Sequence, residues 1–120
     1  MTPIQLIQKA MTACQCPSSE FFGEFTLRMI RAMAVSFHKY GLVRKGFPHR
    51  FNAINCLKDR LKLYEETGNQ DYLTDVANFA MIEVMCPSHA NPHYTPTDGG
   101  EGRRRDRGPA VNLDNNGDRL

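Results

Sequence analysis

The tripeptide Thr67-Gly68-Asn69 constrains this chain more than any other feature, because it punctuates a stretch, Tyr64 to Glu83, that is otherwise helical in pattern. Gly68 suits the left-handed position just past a helix end, and Asn69 suits the cap of the next helix. Asp71 then falls in a first turn, where the positive end of the helix dipole favours a carboxylate. In that second helix Asp71, Asp75 and Asn78 stand at i, i+4 and i+7 and share one face, which Ile82 continues. Leu73, Val76, Ala77, Ala80 and Val84 recur at helical spacing on the opposite face. A helix apolar over most of its circumference is usually buried. The pattern therefore predicts a deeply buried helix that carries two carboxylates and an amide inside, or at the wall of a cleft.

The remaining elements follow from local signals. Residues 3–13 read as a short helix with Pro3 in its first turn and Ile4, Ile7 and Met11 as its apolar edge. Ser18 or Ser19 is the expected cap of a long helix over about 19–40, with Phe22, Phe25, Met29, Met33 and Tyr40 on its apolar face and Phe37 at the edge. Glu20, Glu24, Leu27, Arg31, Val35 and His38 form a mixed stripe on its other side. Residues 41–51 carry Gly41, Gly46 and Pro48 and read as a loop, basic and aromatic, of the kind that holds binding residues on a rigid scaffold. A third helix is expected over 52–67, burying Ile54, Leu57, Leu61 and Tyr64, and the fourth over 70–86, stopped by Pro87. Residues 87–98 read as an extended segment lying back over the helices. From Gly99 the Gly, Arg, Asp and Asn composition predicts a disordered tail. The fold class predicted is all-α, four main helices, with a domain over 1–98 and a tail over 99–120.

With 120 residues and 41% hydrophobic content the chain suits one globular domain. No apolar run reaches the roughly 18–20 residues of a membrane span, and a cytoplasmic protein with four reduced cysteines is expected. Charge distribution says more than the net +2. Between Glu24 and Asp59 there is no acid, while Arg28, Arg31, Lys39, Arg44, Lys45, Arg50 and Lys58 all lie there. An acid-free basic segment facing an acidic helix fits a phosphate ligand with a metal ion, and fits equally a domain that is simply basic at one end.

Three constellations carry candidate chemistry. Asp71 and Asp75 with Glu20 and Glu24 offer hard oxygen ligands for Mg²⁺, whose bound water attacks a phosphoanhydride. The alternative is that Asp71 and Glu20 are first-turn charges and Asp75 pairs with Arg31 or Arg60. Glu83 is expected to pair with an arginine at the edge of the core. Cys86, His89 and His93, with Cys14 and Cys16, suggest zinc, but their spacing is not that of a standard finger. His89 and His93 are otherwise phosphate contacts or surface residues. Arg103 to Arg107 suggests nucleic acid, yet residues 97–120 hold five acids against five bases and no aromatic among the arginines, so a solvated tail is the stronger reading.

The block from Lys39-Tyr40-Gly41 through Leu61, Tyr64 and Thr67-Gly68-Asn69 to Leu73-x-Asp75-Val76-Ala77-Asn78-Phe79-Ala80-Met81-Ile82-Glu83, with His93 and Thr97-Asp98, resembles a family of small proteins of phages and actinobacteria, over about half the chain. Within it, Asp75 to Ala80 is similar to the third core helix of the MazG-like, all-α NTP pyrophosphohydrolases, in which a Glu-x-x-Glu and a Glu-x-x-Asp motif hold Mg²⁺ over a nucleoside triphosphate. Asp75 matches the last acid of the second motif, but Tyr72 stands where its Glu belongs. Glu20 and Glu24 are four apart and Glu65-Glu66 adjacent, so neither makes the first motif. The resemblance implies a MazG-like bundle, a nucleotide-sized cleft and a homodimer. On the resemblance and the charges together, Asp75 and Glu24 are the catalytic candidates. Asp75, Asp71, Glu20 and Glu24 are the candidate Mg²⁺ ligands, and Lys39, Arg44, Lys45, Arg60, Asn78, His89 and His93 the candidate phosphate or ligand contacts. Three functions follow: a nucleotide-binding protein that hydrolyses an NTP or dNTP, one that sequesters a host immune nucleotide signal without turning it over, and an interaction module for protein or nucleic acid.

Overall fold

A computed structural model describes residues 1–97 of the chain. The first of its two units is Met1–Ala90; the second begins at Asn91 and is described as far as residue 97, without helix or strand over those residues. The expected tail lies outside the described residues. Among these the secondary structure is entirely helical: α1 (Pro3–Ala13), a 3₁₀ turn (Ser18–Glu20), α2 (Gly23–Tyr40), α3 (Val43–Gly46), α4 (Ala53–Thr67) and α5 (Asp71–Met85). Four of these are long helices, as predicted. No described helix is long and apolar enough to cross a membrane.

Local chemistry accounts for most boundaries. Thr2 and Gln5 close a reciprocal capping box at α1, with Pro3 in the first turn. The Asn52 side chain accepts the Asn55 N–H at 2.9 Å and starts α4. Gly68 ends α4 in the left-handed conformation (φ 73°), where a side chain would be strained. Asn69 Oδ1 then accepts the Asp71 N–H at 3.0 Å, satisfying one of the free donors at the start of α5. α4 and α5 thus form a helical hairpin. α2 packs on α5, and α1 packs on α2 where Gly23 lets the backbones approach: a Cβ there would lie 3.0 Å from Ile7 Cγ2.

The long N-terminal helix predicted over 19–40 is broken. Phe21 and Phe22 are extended, so residues 18–20 form a separate 3₁₀ turn and α2 starts at Gly23. Ser19 spends its hydroxyl on Glu20 Oε2 (2.7 Å) and caps nothing. Phe22, Phe37 and Tyr40, expected on or beside the apolar face, are exposed, and the packed positions are Phe25, Met29 and Met33 with Leu27 buried. In α4, Leu61 is exposed and Ala53 is the buried residue. A helical turn, α3, occupies the middle of the predicted 41–51 loop.

The largest departure concerns α5. Its buried residues are Thr74, Asn78 and Ile82, so the face read as polar is buried at Asn78 and Ile82 but not at Asp71 or Asp75, while Ala80 and Val84 of the all-apolar stripe are exposed, Val84 at 81%. The helix is not buried around its circumference. Asn78 explains part of the inversion: its Nδ2 donates to the Met29 carbonyl at 3.2 Å, clipping α5 to α2. Asn78 Oδ1 and Thr74 Oγ1 are buried with no hydrogen-bond partner.

Candidate functional site

The chemistry predicted at the start of α5 is not assembled. Asp75 Oδ2 accepts Arg60 Nε at 3.1 Å, an ion pair about two-thirds buried that joins α4 to α5. This is the structural alternative anticipated for Asp75. Asp71 is exposed in the first turn. Glu20 is engaged by Ser19, and Glu24 lines a shallow groove of about 240 Å³ against α1, with Ile4, Ile7 and Phe21. Among the described residues no three His, Cys, Asp or Glu side chains converge to hold a metal ion, so neither the four-carboxylate Mg²⁺ centre nor the Cys/His zinc centre forms. All four cysteines are free thiols.

Glu83 also takes a partner other than the predicted arginine. Its carboxylate accepts the Ser88 N–H at 2.7 Å and the Ser88 hydroxyl at 2.9 Å. The backbone donor of Ser88 is the main reason its pKa lies below the ordinary 4.5; partial burial opposes the shift, and the Ser88 hydroxyl and His89 add to it. His89 is thereby placed in the turn that Glu83 holds after α5. His93 belongs to the second unit, its Nδ1 3.1 Å from the Asn91 carbonyl. Asn78 is a core clip, and Lys39 is exposed on the last turn of α2.

What the fold does bring together is the basic segment after α2. A cleft of about 350 Å³ opens between the end of α2, α3 and the inner side of α5. Its wall includes Tyr40, Lys45, Phe47, Arg50, Phe51 and Phe79, and no acid lines it. Phe47 is central: its ring lies 5.7 Å from Phe51 and 6.3 Å from Phe79, both tilted, within the range where aromatic pairs attract. Cations close both ends of this row. Arg50 sits 5.4 Å from the Phe51 centroid, and Arg60, fixed by Asp75, 5.8 Å from that of Phe79. Gly46 permits the arrangement, since a Cβ there would meet Phe51 Cδ2 at 3.0 Å.

Of the predicted contacts, Lys45 lines this cleft and Arg44 a second one beside it, while Arg60 buttresses Phe79 from α4. The aromatic residues and Arg50 were not singled out as site residues. The signal was present in the interleaving of Arg44, Lys45 and Arg50 with Phe47 and Phe51, but Phe79 joins them only through the packing of α5. The chain matches no family model, no curated protein and no solved structure.

Proposed function

We propose that this protein binds a nucleotide or nucleotide-derived anion in the cleft lined by Tyr40, Lys45, Phe47, Arg50, Phe51 and Phe79, and that it does so without the carboxylate metal centre. The supporting observation is the row of three phenylalanines ending in Arg50, within a cleft that Lys45 also lines and no carboxylate enters. A base has a π-face to stack on such rings, and its phosphates need exposed cations. The volume is at the low end of the roughly 300–1,000 Å³ of small-molecule sites. Sequestration of a nucleotide signal suits this wall better than hydrolysis, because Asp75 is committed to Arg60. The MazG-like arrangement and phage source suggested by the resemblance belong to this proposal as well.

A thermal-shift screen against NTPs, dNTPs, cyclic di- and trinucleotides and ADP-ribose compounds, with and without Mg²⁺, tests it. At least one of these should raise the midpoint equally in both conditions, since a ligand selective for the folded state stabilises it by mass action. The shift should vanish in Lys45→Ala/Arg50→Ala and persist in Asp75→Asn. A silent screen overturns the proposal. A Mg²⁺-dependent shift lost in Asp75→Asn, with pyrophosphate released by the wild type, returns the site to hydrolysis.

The same proposal includes a homodimer. Leu73, Ala77, Ala80 and Val84 make an uncharged stripe along α5, of which Ala80 and Val84 are exposed, and among the described residues the buried apolar side chains are Leu27, Ala53 and Ile82. A chain that buries so little gains by burying more whenever it folds. A second copy is the partner always present, and small residues such as Ala77 and Ala80 let helices approach closely.

A further inference from the structure

The cleft is one of two. A second chamber, about 390 Å³, lies beside it and shares Ser36, Gly41, Leu42 and Val43 as a common wall. The partition follows from local structure: Gly41 ends α2 with a positive φ of 85°, and the chain re-enters helix at Val43. Consecutive residues of a helical turn diverge by about 100°. Arg44 accordingly lines the second chamber and its neighbour Lys45 the first. Each chamber therefore has one of two adjacent cations beside the shared wall.

The second chamber is unlike a phosphate channel. Besides Arg44 its distinctive lining is Met33, Phe37, Met85 and Cys86, all apolar or weakly polar, with Phe37 held edge-on to His38 (ring centroids 5.3 Å apart). Thioether and aromatic groups suit the flat face of a second ring. The tail of a nucleoside triphosphate would place its most heavily charged atoms against them, which is costly. Each chamber on its own is at the low end of the roughly 300–1,000 Å³ of small-molecule sites.

Resting on the nucleotide-binding reading above, we infer that the ligand is a dinucleotide: two nucleobases, one stacked with Phe47 and Phe51 and one with Phe37, joined through phosphate that crosses the Leu42–Val43 wall between Lys45 and Arg44. Linking the two bases makes the second contact intramolecular, so the pair binds more tightly than either half. Base stacking on one aromatic side chain is enough for a preference of about tenfold or more.

The test titrates the full chain with linear and cyclic dinucleotides of the four common bases and with the matching mononucleotides, by calorimetry. At least one dinucleotide should bind about tenfold or more tightly than its mononucleotide. Phe37→Ala should bring that dinucleotide down to the mononucleotide level while leaving mononucleotide affinity unchanged. Phe37 is 52% exposed, so this variant should keep its unliganded thermal midpoint. Arg44→Gln, also exposed, provides a second variant with the same selective loss. Equal affinity for mono- and dinucleotides, or an equal loss of both in Phe37→Ala, overturns the inference and leaves the single-cleft reading intact. Absence of binding by either class overturns both.

Discussion

The two faces of α5 are dressed the wrong way round for a helix that packs on both α2 and α4. The inner face buries Thr74, Asn78 and Ile82, two of them polar. On another side of the helix Leu73, Ala77, Ala80 and Val84 carry no polar atom in their side chains; Leu73 and Ala77 are half-buried, while Ala80 and Val84 stand exposed. Burial against α2 and α4 has therefore selected for fit and for the Asn78 clip to Met29, and not for greasiness. On this outer face Ala80 and Val84 contribute little to the packing of one chain, and the proposed homodimer would cover them. The two faces should then respond to substitution under different conditions.

Ile82→Ala and Val84→Glu separate them most sharply. Removing the Ile82 side chain, 5% exposed, should cost about 2–5 kcal/mol at any protein concentration, measured by urea unfolding. Val84→Glu should change the stability of the isolated chain by no more than about 0.5 kcal/mol. It should nevertheless convert a dimer to a monomer in sedimentation or light scattering, and remove any dependence of the midpoint on concentration. A monomeric wild type at the highest workable concentration would reject the outer face as an interface. Equal, concentration-independent losses in both variants would mean that the outer face is packed within the chain.

A smaller effect of opposite sign is expected at Thr74. Its hydroxyl is buried without a partner, and an unmet buried donor destabilises. Thr74→Val keeps the branched shape and should stabilise the fold by about 1 kcal/mol, read as a higher urea midpoint at unchanged slope. A loss of stability would show that the hydroxyl is satisfied in solution and that the inner face is less frustrated than its geometry indicates.

Helix periodicity made α5 legible in the sequence but not its orientation. Spacing identifies which residues share a face. It is silent on which face meets α2, because that depends on shape and on one long-range bond, Asn78 to Met29. Terminal signals carried further. Gly68 takes the left-handed role its chemistry suggests, whereas the N-cap of α5 is Gln70, one residue after the expected Asn69, whose Oδ1 accepts the Asp71 N–H. Ser18 and Ser19 misled for a complementary reason: a cap residue can satisfy itself locally, and Ser19 bonds Glu20 while the two phenylalanines after it extend. The site was legible as a basic, aromatic segment. Its assembly was not, because Phe79 reaches Phe47 across the fold and Asp75 is drawn to Arg60 fifteen residues earlier.

The weakest of these effects concerns the flank between the two faces, where Glu83 is the last charge of α5. Its carboxylate holds the turn after the helix through the Ser88 N–H and hydroxyl, with His89 contributing. Because these bonds favour the ionised form, the pKa in the folded chain is lower than in the unfolded one. A depressed acid contributes stability that is present above its unfolded value and lost as pH falls through its folded value. The contribution should therefore be intact at neutral pH and decline only as the solution is acidified past about 4.5. The thermal midpoint of Glu83→Gln should lie slightly below that of the wild type near neutrality, and the gap should close in acid. A gap that persists at low pH would show that Glu83 acts through packing along α5 and not through its charge. Since Val84 follows it directly, closing the gap with no change in oligomeric state would also separate the turn from the outer face.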